Sequence, residues 1–198
     1  MTHMGRLDIR SPKQIAALVI LVMMAMVLSF VEVPLIPQAP WLKYDPSGVI
    51  AALAALLYGP WVGSAVAVLA WIPRLVTDPL GAFMNILASV ALVIAMGLIY
   101  RRLPTVRGAV LGTAVGIVCA SVVSIVLNFV VMPIYTEAAF ADIVALVAPV
   151  LLPFNMAKAL VNGGVALVVF RKLEALLAED DRGDERSQAI ERDAPGSG

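Results

Sequence analysis

Three polar side chains lie inside a long apolar stretch near the C-terminal end of this 198-residue chain. Asn155, Lys158 and Asn162 follow one another at helical spacing, so a helix would place them on one face. A lysine within a membrane span is costly, and it normally faces a bundle interior or a watery cavity where it has a partner. The pattern predicts a polar ligand site inside a helical bundle. The alternative is that Lys158 only extends to the membrane interface.

The composition indicates a membrane protein. Hydrophobic residues make up 61% of the chain and charged residues 14%, whereas soluble domains are about 45–50% apolar. Because a membrane span needs about 20 apolar residues, the chain has room for about five or six spans. The formal net charge of zero gives no indication of a nucleic-acid partner, and we expect none.

The residues that are rare or missing argue against several kinds of chemistry. The chain has one histidine, His3, and one cysteine, Cys119, so multi-histidine metal sites and internal disulfides are not expected. It has no P-loop motif for ATP hydrolysis, and its serines have no histidine to activate them. We therefore expect no enzyme, no bound metal and no cofactor.

Six apolar stretches are the elements that must position the polar residues. Between the first two, residues 32–45 contain three prolines, which forbid a regular helix and predict a structured loop. Asp45 and Pro46 are typical of a helix start, with Asp45 as the cap. The sequence of residues 132–149 predicts a second long loop, which would be partly helical and lie at the membrane interface. The expected spans are 13–31, 46–58, 61–76, 82–100, 108–131 and 150–170.

These elements predict an all-α integral membrane protein, a six-transmembrane-helix bundle with a long structured loop between helices 1 and 2. Residues 1–12 would be a cytoplasmic N-terminal stub, and residues 13–172 the six-helix membrane domain. Residues 173–198 are highly charged and poor in large apolar side chains, so we expect a disordered cytoplasmic tail.

The distribution of basic residues predicts the orientation in the membrane. With six spans both termini lie on one side, and that side collects most of the lysines and arginines near the span ends. Because such residues favour the cytoplasmic side, we expect a multi-pass protein of the cell membrane with both termini cytoplasmic. The residues on this side are Arg6, Arg10, Lys13, Arg101, Arg102, Arg107, Arg171 and Lys172.

Three predicted helices place amide side chains at a similar depth in the outer half of the bundle. Asn85, Asn128 and Asn155 each lie about one turn in from the outer end of a span. Such amides could simply join helices to one another. Their convergence beneath two long loops favours a pocket that is open to the outside. Amides both donate and accept hydrogen bonds, so the pocket would suit a neutral heterocycle with carbonyl and ring-nitrogen edges.

Four segments give the chain a resemblance to a known family. They are YDPS at residues 44–47, TDPLGAFMNILAS with Asn85, LNFVVMPIY with Asn128, and LPFNMAKALVNG with Asn155 and Lys158. In order and spacing, along about residues 13–172, the chain resembles the S components of energy-coupling factor vitamin transporters. These are the substrate-binding subunits, and the chain is most similar to the riboflavin-specific type.

The resemblance implies a six-helix subunit that binds riboflavin with high affinity from outside, as a transported ligand and not a cofactor. It also implies a partner module that delivers the vitamin, made of a transmembrane coupling subunit and two ATPase subunits. The chain itself would be in contact with membrane lipid. The loop between helices 1 and 2 would help to close the site. The expected substrate-binding residues are Asn128, Asn155, Lys158, Asn85, Tyr44 and Asn162.

Three other functions stay open from the sequence alone. The chain could be an S component for a different vitamin, such as thiamine, biotin or pantothenate, because side-chain type alone does not settle a ligand. It could be a ligand-free structural membrane protein whose amides join helices. A membrane enzyme acting on a lipid is the weakest alternative, since histidine and buried carboxylates are missing from the predicted spans.

Overall fold

A computed structural model describes residues 12–37, 39–136 and 139–193, and most of these residues are helical. The elements follow the apolar stretches of the sequence. In chain order they are α1 (Pro12–Ser29), β1 (Val33–Pro34), β2 (Lys43–Tyr44), α2 (Ser47–Tyr58), α3 (Pro60–Trp71), a 3-10 turn (Ile72–Leu75), α4 (Pro79–Arg102), α5 (Val106–Thr136), α6 (Phe140–Leu146), a π-helical segment (Val147–Leu151) and α7 (Leu152–Asp193).

Three stretches of helix in the described residues are long and apolar enough to cross a membrane. They are Pro79–Arg102, Val106–Ile134 and Phe140–Leu176. Three shorter apolar helices accompany them, at Gln14–Ser29, Ser47–Tyr58 and Pro60–Leu75. A helix of 12 residues such as α2 is only about 18 Å long, less than the hydrocarbon thickness of about 30 Å. The expectation of six full crossings therefore stays a prediction.

Helix α2 lies at the centre of the molecule. It packs against α1, α3, α4 and α7, and nine of its twelve residues are buried. Its alanines allow these neighbours to approach closely, as small residues do in membrane bundles. The helix ends at Gly59, whose φ of 96° lies in the left-handed region that favours glycine, and Pro60 then starts α3.

Helices α4 and α5 pack tightly through two glycines. A Cβ atom on Gly112 would lie 2.7 Å from the carbonyl oxygen of Met96, and one on Gly116 would lie 2.7 Å from that of Leu92. Both distances are shorter than a real Cβ contact, so only glycine fits the observed spacing. This contact fixes the position of α4 against α5.

The segment between α1 and α2 is not helical. Strands β1 and β2 pair in antiparallel fashion, with Val33 opposite Tyr44 and Pro34 opposite Lys43. Ala39 and Leu42, which lie between the strands, are buried in a hydrophobic cluster with side chains from α5, α6 and α7. We call residues 30–46 the connecting loop. Its own apolar side chains pack it against α5, α6 and α7.

Two segments are more helical than the sequence predicted. Helix α5 continues through Pro133 to Thr136, and α6 and the π-helical segment occupy most of the expected loop 132–149. This segment is apolar and has few turn-forming residues. Helix α7 continues to Asp193, so residues 173–193 are helical where a disordered tail was expected. Residues 173–178 contain good helix formers and neither glycine nor proline. Residues 1–11 of the predicted stub and 194–198 lie outside the described residues.

Candidate functional site

A pocket of about 510 Å³ lies between the connecting loop and the helices α4, α5 and α7. The loop supplies four lining residues, and the 3-10 turn adds Arg74. The volume is within the range of about 300–1,000 Å³ that is usual for small-molecule sites. Four of the predicted site residues line it, namely Asn85, Asn128, Asn155 and Lys158.

Lys158 joins three elements at the wall of this pocket. Its Nζ donates to Asp45 Oδ2 at 2.7 Å, to the carbonyl oxygen of Lys43 at 3.3 Å and to Asn85 Oδ1. An ammonium group has three N–H donors, and all three have acceptors here. Its side chain is 16% exposed. The lysine is thus held inside the bundle by a carboxylate, and it does not extend to the interface as the alternative required.

Asp45 does not cap helix α2, and the expectation that it would do so was wrong. Helix α2 begins at Ser47 with Pro46 at the cap position and no side-chain capping bond. The Asp45 carboxylate binds the ammonium of Lys158 and also accepts a hydrogen bond from Ser47 Oγ. Trp71 Nε1 in turn donates to Ser47 Oγ at 3.0 Å. The cation that Asp45 binds instead lies 113 positions later in the chain, so the local pattern of a helix start could not reveal it.

Asn128 and Asn155 present hydrogen-bond acceptors to the pocket. Each is at least nine-tenths buried, and each donates from Nδ2 at 2.7 Å to a carbonyl of its own chain four residues earlier, at Ser124 and Leu151. Among the described residues, neither Oδ1 atom accepts a hydrogen bond. Since both residues line the pocket, these two oxygens are available as acceptors for a ligand N–H or O–H group.

Tyr44 and Asn162 come together, but they do not line the pocket. The Tyr44 hydroxyl donates to Asn162 Oδ1 at 3.2 Å and so links the connecting loop to α7. Burial, and then the nearby Asp45 carboxylate, raise the pKa of the Tyr44 phenol, which keeps it a donor. Gly48 leaves room for Asn162, because a Cβ there would lie 2.3 Å from Asn162 Nδ2. The two residues therefore hold the connecting loop on α7 without lining the pocket.

A charged group at the pocket was not predicted from the sequence. It consists of Glu32, Lys43 and Arg74. Arg74 Nη2 lies 2.6 Å from Glu32 Oε1, and Lys43 Nζ lies 2.9 Å from Glu32 Oε2. Glu32 therefore joins both ends of the connecting loop to the 3-10 turn. The available signal was that charged residues beside apolar spans need partners, and Arg74 and Glu32 are of opposite charge.

Arg74 is anchored on several sides. Its Nη1 donates to the carbonyl oxygen of Ser29 at 3.1 Å, at the end of α1. Its guanidinium lies 5.6 Å from the ring centroid of Phe30 and 5.4 Å from that of Trp71. Both distances are within the range for cation–π attraction. These contacts hold the side chain at the pocket wall.

The cations at the pocket wall are paired. Lys43 and Arg74 contact Glu32, and Lys158 contacts Asp45. Breaking the Arg74–Glu32 or the Lys158–Asp45 pair would leave a largely buried charge without compensation, so these two pairs also hold the elements in place. Within the described ranges, no group of three or more histidine, cysteine or acidic residues could hold a metal ion. The arrangement suits the binding of a polar ligand without net charge.

Comparison with known proteins places this fold and pocket in a family. The family profile described as "ECF transporter, substrate-specific component" matches residues 13–170. The riboflavin transporter RibU of Staphylococcus aureus (strain TCH60) is 28% identical over 181 residues, covering 87% of this chain and 96% of that protein. The riboflavin transporter FmnP of Bacillus subtilis (strain 168) is 27% identical over 175 residues, covering 82% and 92%.

A solved structure agrees with these relatives. It is described as "Structure and mechanism of the S component of a bacterial ECF transporter", and it superposes with a TM-score of 0.72. The two chains are 28% identical, and the match covers 83% of this chain and 97% of that one. The resemblance predicted from four sequence segments is thus confirmed, together with a location in the membrane. The chain belongs to the family of ECF transporter substrate-specific components.

Proposed function

We propose that the protein is the riboflavin-binding S component of an energy-coupling factor importer. The observation that carries this proposal is the meeting of Asn128, Asn155 and Lys158 at one pocket of suitable size. The relatives named riboflavin transporters support the choice of ligand. The protein captures riboflavin from outside the cell. A partner module of a transmembrane coupling subunit and two ATPase subunits then drives its delivery.

The pocket chemistry supports a flavin in particular. Asn128 and Asn155 offer acceptors to the ring N–H and hydroxyl groups, while the ammonium of Lys158 faces a ring carbonyl or ring nitrogen. Trp41 and Phe154, which also line the pocket, provide flat apolar walls for the ring system. The ribityl hydroxyl groups can exchange hydrogen bonds with the charged residues around Glu32.

The membrane arrangement in this proposal is a multi-pass bundle with six helices and cytoplasmic termini. The excess of lysine and arginine at one end of the apolar helices supports it. In this orientation the connecting loop and the pocket face the outside, where the vitamin is taken up. Exposed leucine, valine and methionine side chains on α1, α5 and α7 contact lipid.

The first experiment is the absorbance spectrum of the detergent-purified protein between the near ultraviolet and the blue. Riboflavin absorbs there and the polypeptide does not, so a stoichiometric flavin band that survives washing supports the proposal. Protein purified without flavin should quench the fluorescence of added riboflavin saturably. A colourless protein that also fails to bind added riboflavin would overturn the proposal. Competition by thiamine, biotin or pantothenate would instead indicate a different vitamin.

Replacement of the pocket amides tests the site itself. We expect Asn128→Ala and Asn155→Ala each to weaken riboflavin binding roughly tenfold, because each removes one hydrogen-bond acceptor from the pocket. Ser121→Ala is the matched control. Ser121 is equally buried and also donates to its own helix, at Ile117, but it does not line the pocket. Equal affinities for all three variants would contradict the assignment.

A further inference from the structure

Asp45 lies behind the pocket and touches its wall only through another residue. It is 2% exposed and is not a lining residue, whereas its partner Lys158 is one. Its Oδ2 atom accepts from the ammonium of Lys158, and its Oδ1 atom accepts from Ser47 Oγ. Trp71 holds Ser47 in turn through the indole N–H. Both carboxylate oxygens are thereby fixed by neighbours of different elements.

The three acceptors around Lys158 are not equivalent. All three N–H donors of the ammonium are engaged, so a ligand oxygen can bind Nζ only by replacing one acceptor. The carbonyl of Lys43 is the most distant, at 3.3 Å, and Asn85 is a neutral, partly exposed amide. Asp45 carries the opposite charge and is buried, and its other oxygen accepts a hydrogen bond from Ser47. Loss of its contact would leave a buried carboxylate and a partly buried ammonium without a charged partner.

We propose that Asp45 is a positioning residue for ligand binding, which keeps the Lys158 ammonium at the pocket wall while a ligand oxygen replaces a neutral acceptor. This inference rests on the proposed function, because the ligand is riboflavin. Asp45 contributes no contact of its own to the ligand. Its contribution to affinity passes entirely through Lys158, with Ser47 and Trp71 holding the carboxylate in its orientation.

A double-mutant cycle tests this relation with riboflavin as the probe and the full-length protein in detergent. We expect Asp45→Asn to weaken binding roughly tenfold to a hundredfold, similar to Lys158→Met. In the Lys158→Met background, the same Asp45→Asn change should alter affinity less than about twofold. A merely structural contribution of Asp45 would add in both backgrounds, because independent effects are additive. Additive losses would overturn the inference.

A second variant keeps the test decisive if Asp45→Asn does not fold. Ser47→Ala removes the hydrogen bond that orients the carboxylate and leaves the charge pair intact. We expect it to weaken binding severalfold in the natural background and to have no effect beside Lys158→Met. An equal loss in both backgrounds would contradict the inference. Glu174→Gln is the control, because Glu174 pairs with Arg171 and does not line the pocket; it should bind riboflavin normally.

The same measurements separate this inference from the proposed function. If the unsubstituted protein binds no riboflavin, the proposed function itself is wrong. If it binds riboflavin and Lys158→Met weakens binding, but Asp45→Asn binds normally, only the role of Asp45 is wrong. Normal binding by Lys158→Met would likewise overturn the positioning role.

Discussion

The amide side chains of α4, α5 and α7 show how much residue spacing alone can predict. Asn85, Asn128 and Asn155 were placed at one depth by counting turns from predicted span ends, and all three line one pocket. Helical spacing could not identify the hydrogen-bond partners of the polar residues at the site. The bonds of Lys158 to Asp45 and Lys43 join residues more than a hundred positions apart, and only the packing of the loop brings them together.

The hydrogen bond between Tyr44 and Asn162 should contribute to stability in a pH-dependent way. We expect Tyr44→Phe to lower the thermal midpoint in detergent by about 2–4 °C at pH 8, equivalent to about 1 kcal/mol. The pKa of Tyr44 is raised above its usual value of 10.0 in the folded protein. Above about pH 10 the unfolded chain therefore loses this proton first, and the stability of the natural protein falls as the pH rises.

Thermal melts of both proteins between pH 8 and pH 11 check this prediction. The advantage of the natural protein over Tyr44→Phe should be constant below about pH 10 and shrink above it. Because the other tyrosines are common to both proteins, their titration cancels in the difference. A difference that grows with pH would contradict the assignment of Tyr44 as a neutral donor.

At the scale of elements, the connecting loop is fixed by charge at both ends. Glu32, just before β1, contacts Arg74 of the 3-10 turn and Lys43 of β2. Asp45, just after β2, contacts Lys158 of α7. The loop supplies part of the pocket wall between these points. Its position at the pocket is therefore held in part by ion pairs with residues of other elements.

Weakening the ion pairs of Glu32 should speed ligand release. We expect Glu32→Gln to raise the riboflavin dissociation rate roughly tenfold, because it weakens two ion pairs that hold the loop, with a smaller effect on association. Stopped-flow fluorescence with excess competitor measures the rate. Asp142→Asn is the control, since Asp142 is an exposed carboxylate on α6 outside the pocket lining. An unchanged dissociation rate for Glu32→Gln would contradict the view that the ion pairs of Glu32 hold the loop in place.

The close contact between α4 and α5 should be sensitive to a single methyl group. We expect Gly116→Ala to lower stability by about 1–3 kcal/mol, because the new Cβ would overlap the carbonyl oxygen of Leu92. Gly164→Ala is the matched control in α7, where a Cβ meets nothing within 4 Å. It should be neutral or stabilise by up to about 1 kcal/mol through helix propensity. Thermal melts of both variants in detergent compare them, and equal midpoints would contradict the tight packing.

Element boundaries were predictable where glycine and proline mark them and less so elsewhere. The end of α2 at Gly59-Pro60 follows directly from the sequence. The segment 132–149 contains prolines too, yet α5 continues through Pro133. A proline inside a helix costs a hydrogen bond, and neighbouring helices can compensate in a membrane protein. Sequence rules for soluble chains do not include that compensation.

For the whole molecule, orientation can be measured by labelling with a membrane-impermeant maleimide. In a Cys119→Ser background, we expect Ala141→Cys to react in intact cells, because α6 lies on the outer side of the proposed arrangement. Lys172→Cys should react only after permeabilisation, since basic residues near span ends favour the cytoplasmic side. Both residues are exposed in the structure. The opposite labelling pattern would reverse the orientation and place the pocket on the cytoplasmic side.

The sequence by itself determined the class of the molecule, its family and the main amide positions of the pocket. Apolar stretches, helical spacing and four local motifs are properties of neighbouring residues, so they can be read without coordinates. Only the tertiary structure decided which charges pair. Asp45, Glu32 and Arg74 lie in the loop and turn segments, and their partners come from distant parts of the chain. Such contacts depend on how the helices pack and where the loop folds, and no local pattern encodes that geometry.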